Sequence, residues 1–306
     1  MIVAILGATS QISKDLVLSF STNKDYSFLL FSRNTTILEE WIDAENLNNK
    51  YQAREYVEFG GLQDYDVIIN FVGIGDPKKA KTMGSNILSV TEQYDNMALD
   101  YIKSHKQTKY IFLSSGAAYG GNYQEPINER SVATVNINNL GSTDWYSISK
   151  LYAEAKHRSL SELSIIDVRV FNYFSHAQDM NARFLIADIV RSVINNEILR
   201  TSADNIIRDF ITPPDFYNLI QSIVDFKPIN LAVDCYTKSP VLKFDLLSEL
   251  ESEFGLKYEI NNKINIVNAT GFKLNYYSAN RIAKKLGYQP TNTSLEGIIE
   301  EIRLLV

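Results

Sequence analysis

The 306-residue chain has a single cysteine, Cys235, which excludes an internal disulfide and leaves no thiolate cluster for a metal. Its histidines, His105, His157 and His176, are scattered and show no metal-ligand spacing. No apolar run approaches the length of a membrane span. No basic leader or cleavage site precedes the first strand-like run, so neither a membrane anchor nor a signal peptide is expected. A basic excess is missing as well: 30 Lys and Arg stand against 36 Asp and Glu. Phosphate contacts need clustered cations, so the net charge of -6 argues against nucleic acid as a partner. What composition leaves is a cytoplasmic, metal-free globular protein, 45% hydrophobic and 22% charged. Its length suits one large α/β domain or two smaller ones.

Ile2–Leu6 is a continuous apolar run of strand length, of the kind buried on both faces of a parallel sheet. It runs into Gly7-Ala8-Thr9-Ser10-Gln11-Ile12-Ser13, then into a helical pattern through Leu16, Val17 and Phe20. Strand, small-residue turn and helix bring backbone N–H groups and a helix N-terminus together, which makes an anion site for a pyrophosphate. Gly7, Thr9, Ser10, Gln11 and Ile12 are its candidate lining. The glycine fingerprint is degraded, because Ser10 and Ser13 occupy two positions that are normally Gly, and a plain strand–helix turn stays open. The second strand, Ser27–Phe31, ends in Ser32-Arg33-Asn34. A dinucleotide fold that prefers NAD carries an acidic residue near this point, to accept from the ribose 2′-OH. Arg33 follows instead, and a guanidinium can pair with a 2′-phosphate, so NADP(H) is favoured over NAD(H). A solvated arginine is the alternative.

Asp66–Val72 reads as another buried strand, followed by Gly73-Ile74-Gly75, where glycines let a ligand pass close to the backbone or merely turn the chain. Phe71, Val72 and Gly73 are candidate cofactor contacts. The basic connection Asp76–Lys81 is either a cleft wall or a solvated loop. A helix over Asn86–Lys103 follows, with Ile87, Val90, Tyr94, Met97 and Tyr101 at helical spacing for packing. The strand Lys109–Leu113 ends in Ser114-Ser115-Gly116-Ala117, which places two hydroxyls where open α/β sheets bind ligands, unless they only form the turn.

Tyr146 and Lys150 stand four apart on a helix, so phenol and ammonium can meet one ligand. An adjacent cation favours the phenolate and lowers the effective pKa of the tyrosine. With 18 tyrosines in the chain, about one Tyr-x-x-x-Lys is expected by chance, and Tyr152 and Lys156 form a second. Tyr146 opens its helix just after the irregular stretch 133–143 and can face a cleft. Lys156 belongs to a charged run with His157 and Arg158, which reads as a solvated face or a subunit contact.

Taken in order, Gly7, the Leu113–Gly120 stretch and Tyr146-x-x-x-Lys150 resemble the landmarks of the extended short-chain dehydrogenase/reductase family. Its members are NAD(P)-dependent epimerases, dehydratases and reductases of nucleotide sugars. Val168-Arg169-Val170-Phe171-Asn172, Arg208-Asp209-Phe210-Ile211 with Asp215, and Leu286-Gly287-Tyr288-Gln289-Pro290 are similar to later segments of the same family, so the likeness spans nearly the whole chain. The resemblance implies Tyr146 as the acid/base on the sugar hydroxyl, with Lys150 lowering its pKa and holding the nicotinamide ribose. Ser115 would bond the substrate oxygen, with Ser114 the weaker candidate. Arg208 would meet the nucleotide diphosphate and Asn172 the substrate. For Arg183 a diphosphate contact stands beside a surface helix position.

The resemblance also orders the reactions. Dehydratases of the family carry an Asp-Glu pair beside the serine, because eliminating water needs an acid and a base on neighbouring carbons. GDP-fucose synthase-type enzymes use a cysteine there. This chain has Gly116 and Ala117. What remains is hydride transfer at one carbon. The leading expectation is an NADP(H)-dependent reductase of a keto group on a nucleotide-linked deoxysugar, and the alternative is a 4-epimerase. A cofactor sensor without catalysis is permitted by Ser10 and Ser13 and opposed by Ser115, Tyr146 and Lys150.

The expected architecture is an α/β doubly wound parallel sheet, the Rossmann arrangement, over residues 1–175, with a smaller substrate-binding lobe over 176–306 and chain crossings between them. Helices are expected near 184–195, 216–225 and 242–254, with Tyr236, Lys243 and Phe272 among the lobe residues that would choose the substrate. The resemblance further implies a homodimer through the helices after Asn86 and from Trp145.

Overall fold

The computed structural model describes every residue except 24, 48, 62, 74–81, 122, 183 and 262–272. The expectations placed on Gly75, on Asp76–Lys81, on Arg183 and on Phe272 therefore lie outside the described residues.

Strand and helix alternate through the first half: β1 (Ile2–Leu6), α1 (Gln11–Phe20), β2 (Ser27–Ser32), α2 (Thr35–Ala44), β3 (Tyr51–Glu55), β4 (Val67–Asn70), α3 (Asn86–Ser104), β5 (Lys109–Ser115), α4 (Trp145–Ser159) and β6 (Ile165–Val170). The second half adds β7 (Asn172–Tyr173), α5 (Leu185–Ile194), β8 (Ile198–Thr201), β9 (Ile207–Arg208), β10 (Phe210–Ile211), α6 (Pro213–Asp225) and β11 (Leu231–Asp234). It closes with β12 (Val241–Leu242), α7 (Lys243–Phe254), β13 (Lys257–Ile260), β14 (Asn275–Tyr276) and α8 (Ser294–Arg303). Seven strands form one sheet in the order β11-β6-β5-β4-β1-β2-β3, every pair parallel. The chain winds from β1 out to β3, then returns to lay β4 on the other side of β1. That reversal opens a crevice at the carboxyl ends of β1 and β4, which is where ligands bind in such sheets.

The apolar strands are buried on both faces because helices cover both. Val3, Ile5, Phe28, Leu30, Val67 and Ile69 join one core with α1, α2 and α6. Their neighbours Ala4, Leu6, Leu29, Phe31 and Ile68 join the opposite core with α3 and α4. This is the period-two alternation of a strand used on two sides. Residues after 175 do not all leave the sheet. Phe216, Leu219 and Ile223 of α6 and Tyr288 pack in the first core, and β11 lies in register on β6, with Asp234 opposite Arg169. A separate core holds the remainder, from Phe174 through Ile189, Leu199, Leu247 and Ile302. Small sheets β10-β7, β12-β9-β14 and β13-β8 edge that part.

Helix α4 meets the sheet with a polar stripe. His157, fully buried, bonds Asp167 Oδ1 of β6 at 2.6 Å and Asp95 Oδ1 of α3 at 2.7 Å. Lys156 Nζ reaches Asp95 Oδ2 at 2.5 Å and Arg158 Nη2 reaches Asp167 Oδ2 at 2.6 Å. The charged run is thus no solvated face, as its polarity had suggested. His157 is its centre, and Lys156 turns inward while Tyr152 stays half exposed with its hydroxyl 3.2 Å from Glu92. Burial alone would push the imidazole down, but the Asp167 and Asp95 carboxylates more than offset it and lift its pKa from 6.5 to about 9. A raised pKa stabilises the fold fully below the unfolded value of 6.5, and the gain is lost as pH climbs through about 9. His157→Gln is therefore expected to cost on the order of 3 kcal/mol near pH 6 and clearly less at pH 9.5. Urea unfolding of both proteins at the two pH values measures this, and a pH-independent difference would count against a charged imidazole.

Candidate active site

The turn after β1 is built as the crevice requires. Gly7 has φ +76°, and a Cβ there would stand 2.9 Å from Val72 N in the turn after β4, so the two turns touch only because residue 7 has no side chain. Ser10 caps α1, its Oγ accepting from Ser13 N at 3.4 Å. Thr9 is exposed, Gln11 Nε2 bonds Asp15 Oδ1 at 2.7 Å, and Ile12 packs against the core. Across the crevice Phe71 is buried, and Val72 N donates to Asn70 Oδ1 at 2.9 Å. Gly73 lies against Lys150, whose Nζ would be 3.1 Å from a Cβ there. These candidates lie around the ends of β1 and β4, and Arg33 follows the adjoining end of β2, near enough to Tyr56 to act on its phenol. Arg33 is exposed beyond β2, while the neighbouring Ser32 hydroxyl is turned back to Asn34 O at 2.7 Å. A further residue joins them without having been foreseen. Tyr56, just past β3, accepts the Gly7 N–H on its hydroxyl at 3.0 Å, and burial pushes that phenol up to about 12. No motif marks Tyr56 in the sequence.

The candidate catalytic groups Ser115, Tyr146 and Lys150 meet at the end of β5. Ser115 Oγ accepts from Ala117 N at 3.1 Å and lies 3.4 Å from the Tyr276 hydroxyl. Tyr146, partly buried in the first turn of α4, faces Ser115 closely enough for that hydroxyl to act on its phenol. One turn on, Lys150 Nζ donates to Leu113 O at 2.7 Å, lies 4.4 Å from the Phe112 ring centroid and 6.0 Å from that of Tyr146. Burial lowers the Lys150 ammonium to about 8, against the pull of Asp95, Glu154 and Asp167. The Tyr146 phenol does not show the lowering expected from its cationic neighbour. Burial holds it above its ordinary value, opposed by Ser115, because the Lys150 ammonium is turned to the Leu113 carbonyl. Ser114 points the other way, donating to Glu154 Oε1 at 2.5 Å. Glu154 in turn holds Arg169, at 2.5 Å from Nη2 to Oε2.

Gly116 is enforced by packing: a Cβ would fall 2.4 Å from the Phe171 ring, so no larger side chain fits beside Ser115 without moving that ring. Asn172 Nδ2 donates to Asp209 O and Tyr276 O, both at 3.2 Å, and so pins β14 to the site. Arg208 is buried, with Nη1 on Ile207 O at 2.7 Å and Leu274 O at 3.2 Å, and Nη2 on Lys273 O at 2.9 Å. Three of its five N–H donors are thus on backbone carbonyls, and burial lowers it to about 10. Tyr276 and Lys273 were not foreseen either, because the two-residue strand β14 has no pattern by which sequence could find it. A cleft of about 440 Å³ adjoins, lined by Ala117, Gly120, Thr134, Thr143 and Ser147, a size usual for small-molecule sites. Among the described residues no cluster of His, Cys, Asp and Glu is arranged to hold a metal, and no helix is long and apolar enough to cross a membrane.

No curated protein sequence matches the chain. Among solved structures, the UDP-glucuronic acid 4-epimerase from Bacillus cereus, in complex with UDP-glucuronic acid and NAD, is 19% identical with a TM-score of 0.79, each chain covering 100% of the other. The UDP-N-acetylglucosamine 4-epimerase from Methanobrevibacter ruminantium M1, in complex with UDP-N-acetylmuramic acid, is 17% identical with a TM-score of 0.78, over 99% of this chain and 97% of that one. The dTDP-glucose 4,6-dehydratase from Bacillus anthracis, in complex with NAD, is 15% identical with a TM-score of 0.77, over 100% and 96%. At these identities the likeness is one of fold. A family model matches residues 3–228, and with the ordered landmarks Gly7, Ser115, Tyr146 and Lys150 it shows that the chain belongs to the NAD dependent epimerase/dehydratase family.

Proposed function

We propose that the protein moves a hydride reversibly at one carbon of a sugar carried on a nucleoside diphosphate, with 4-epimerisation as the overall reaction. The observation that carries this reading is the convergence of Ser115, Tyr146 and Lys150 at the carboxyl edge of β5, with Gly116 held under Phe171 where a dehydratase would need an acid. Tyr146 takes the hydroxyl proton as the carbon is oxidised and returns it when the carbon is reduced again. Ser115 Oγ, already oriented by Ala117 N, holds the same oxygen. The elements for the cofactor fit a dinucleotide: Gly7, Thr9, Ser10, Gln11 and Ile12 around the N-terminus of α1, Phe71, Val72 and Gly73 opposite, and Lys150 between cofactor and phenol. A bound nicotinamide dinucleotide supplies the hydride acceptor at the sugar carbon. Asn172 and Arg208 are assigned to the nucleotide sugar. Family membership and the 4-epimerases of like fold that carry NAD support epimerisation with NAD over net reduction.

A second reading is an NADP(H)-dependent reductase of a keto group on a nucleotide-linked deoxysugar. The observation that favours it is Arg33, exposed directly after β2 in the stretch 32–36, which has no acidic residue of its own.

Tyr146→Phe is expected to lower turnover by about a hundredfold or more while leaving the melting temperature in place, whereas Tyr152→Phe leaves both unchanged. Activity retained by the Tyr146 variant on a panel of UDP and dTDP hexoses takes the phenol out of the mechanism. The two readings separate on cofactor: an epimerase interconverts sugars without net use of NADPH. Under the second reading NADP(H) binds tighter than NAD(H), and Arg33→Ala weakens only the former, by about tenfold; equal binding by wild type and variant removes that reading. The proposal includes a homodimer through α3 and α4. Light scattering should then give twice the 34.8 kDa chain mass, and a monomer at micromolar concentration rejects the pairing.

A further inference from the structure

Four lysines are buried among the described residues, and one differs from the rest. Lys109 Nζ donates to the carbonyls of Ile223, Val224 and Phe226, Lys150 Nζ to Leu113 O, and Lys243 Nζ to Ser202 O. Lys273, 4% exposed, has its ammonium on ring faces instead, 3.8 Å from the Tyr276 centroid and 4.7 Å from that of Tyr123. No hydrogen bond to it occurs among the described residues, and neither Lys273 nor Arg208 has a carboxylate partner among them. Arg208 lies on the neighbouring strand, opposite Tyr276 in register, with its guanidinium carbon 5.9 Å from the same ring. Two cations therefore share one buried tyrosine, and the hydroxyl of that tyrosine reaches Ser115. An uncompensated buried charge is costly, and a like charge beside it raises the cost. Burial, followed by repulsion from Arg208, brings the Lys273 ammonium down to about 7. Of the two, the Lys273 ammonium meets only ring faces among the described residues, whereas three of the five Arg208 N–H donors are already on backbone carbonyls.

We infer that Lys273 is an anion-binding residue of the substrate site, taking an oxyanion of the nucleotide sugar, either a phosphate oxygen or a carboxylate on the sugar. This rests on the nucleotide-sugar reading above. Its ammonium lies one phenol ring away from the Ser115 hydroxyl, so it can reach groups attached to the reacting sugar as well as the linkage behind it. Binding should draw a proton onto Lys273 above neutral pH. The charged and titratable groups that face it are Arg208 of β9, Tyr276 of β14 and Tyr123. Arg208 stands at about 10, and burial holds both phenols above their ordinary value, so none of the three changes charge near pH 8.

The test is calorimetric titration of the NAD-supplied protein with UDP, UDP-glucose and UDP-glucuronic acid at pH 8, in Tris and in phosphate buffer. The wild type is compared with Lys273→Met and Lys273→Arg, each checked by its melting curve. The expected result is at least a tenfold loss of affinity in Lys273→Met with no proton uptake, and recovery to within about threefold in Lys273→Arg. Loss for all three probes assigns the contact to the diphosphate. Loss confined to UDP-glucuronic acid assigns it to the sugar carboxylate. Wild-type binding that Lys273→Met leaves within twofold for every probe, with the same proton uptake, overturns the inference and leaves the nucleotide-sugar reading intact. A wild type that binds none of the three, nor dTDP and dTDP-glucose, overturns that reading and the inference with it. Should Lys273→Met fail to fold, Lys273→Gln is judged by the same criteria.

Discussion

Helix α4 is fastened to the sheet by ionisable side chains where most helices of this architecture use an apolar stripe, and the position of the candidate catalytic groups follows from that fastening. Lys150, Glu154 and His157 fall on one face, at spacings of four and three. Each takes a different anchor: Lys150 the Leu113 carbonyl, Glu154 the Ser114 hydroxyl and Arg169, His157 the carboxylates of Asp167 and Asp95. Buried charges tolerate no loss of partner, at about 3–5 kcal/mol each. A rotation of the helix by one residue would strand all three at once. An apolar stripe would forgive such a slip by repacking. Tyr146, one turn before Lys150, therefore arrives beside Ser115 as a consequence of how the rest of the helix is held.

A second set of polar contacts ties the later part of the chain to the same place. Arg169 continues from Glu154 to Asp234 of β11 at 3.3 Å and to the Tyr119 hydroxyl at 2.5 Å, and Ser278 Oγ donates to Asp234 at 2.6 Å. Asn172 holds the backbone of Tyr276, whose hydroxyl reaches Ser115. Serine, tyrosine and the two lobe cations are thus brought together from β5, α4, β9 and the approach to β14, which are far apart in sequence. Networks of this kind are stiff when every member is satisfied. Lys273 differs in kind, since among the described residues its ammonium lies on ring faces where Arg169 holds carboxylates and Arg208 holds carbonyls.

Much of the sheet was legible because its strands are apolar on both faces and run into small-residue turns: β1, β2, β4 and β5 announce themselves in Ile2–Leu6, Ser27–Phe31, Asp66–Val72 and Lys109–Leu113. Tyr146 was separable from Tyr152 by its place at a helix start. The inner face of α4 was not legible, because periodicity is counted on apolar residues, and a helix that buries Lys150, Glu154 and His157 looks solvated on that count. The same blindness hid Lys156, whose partner Asp95 lies 61 positions earlier on another helix. Tyr56, Tyr276 and Lys273 escaped for a different reason. Their neighbours are set by how loops and two-residue strands meet, and no local spacing encodes that.

The altered glycine fingerprint shows how a motif can decay while its geometry persists. Of its three positions, the first needs a left-handed turn, the second closeness to a phosphate, and the third closeness of helix to strand. Only the first is beyond any other residue: Gly7 sits at φ +76° with the β4 turn 2.9 Å from where a Cβ would be. Ser10 meets the second with a small side chain that also caps α1. Ser13 meets the third at a cost, since its hydroxyl is buried without a partner. A helix that keeps its distance from β1 despite that orphaned hydroxyl has lost some stability, and the crevice that the helix N-terminus faces keeps its shape. The cradle is therefore defined by backbone closeness at Gly7, and the letters of the fingerprint matter only as far as they preserve it.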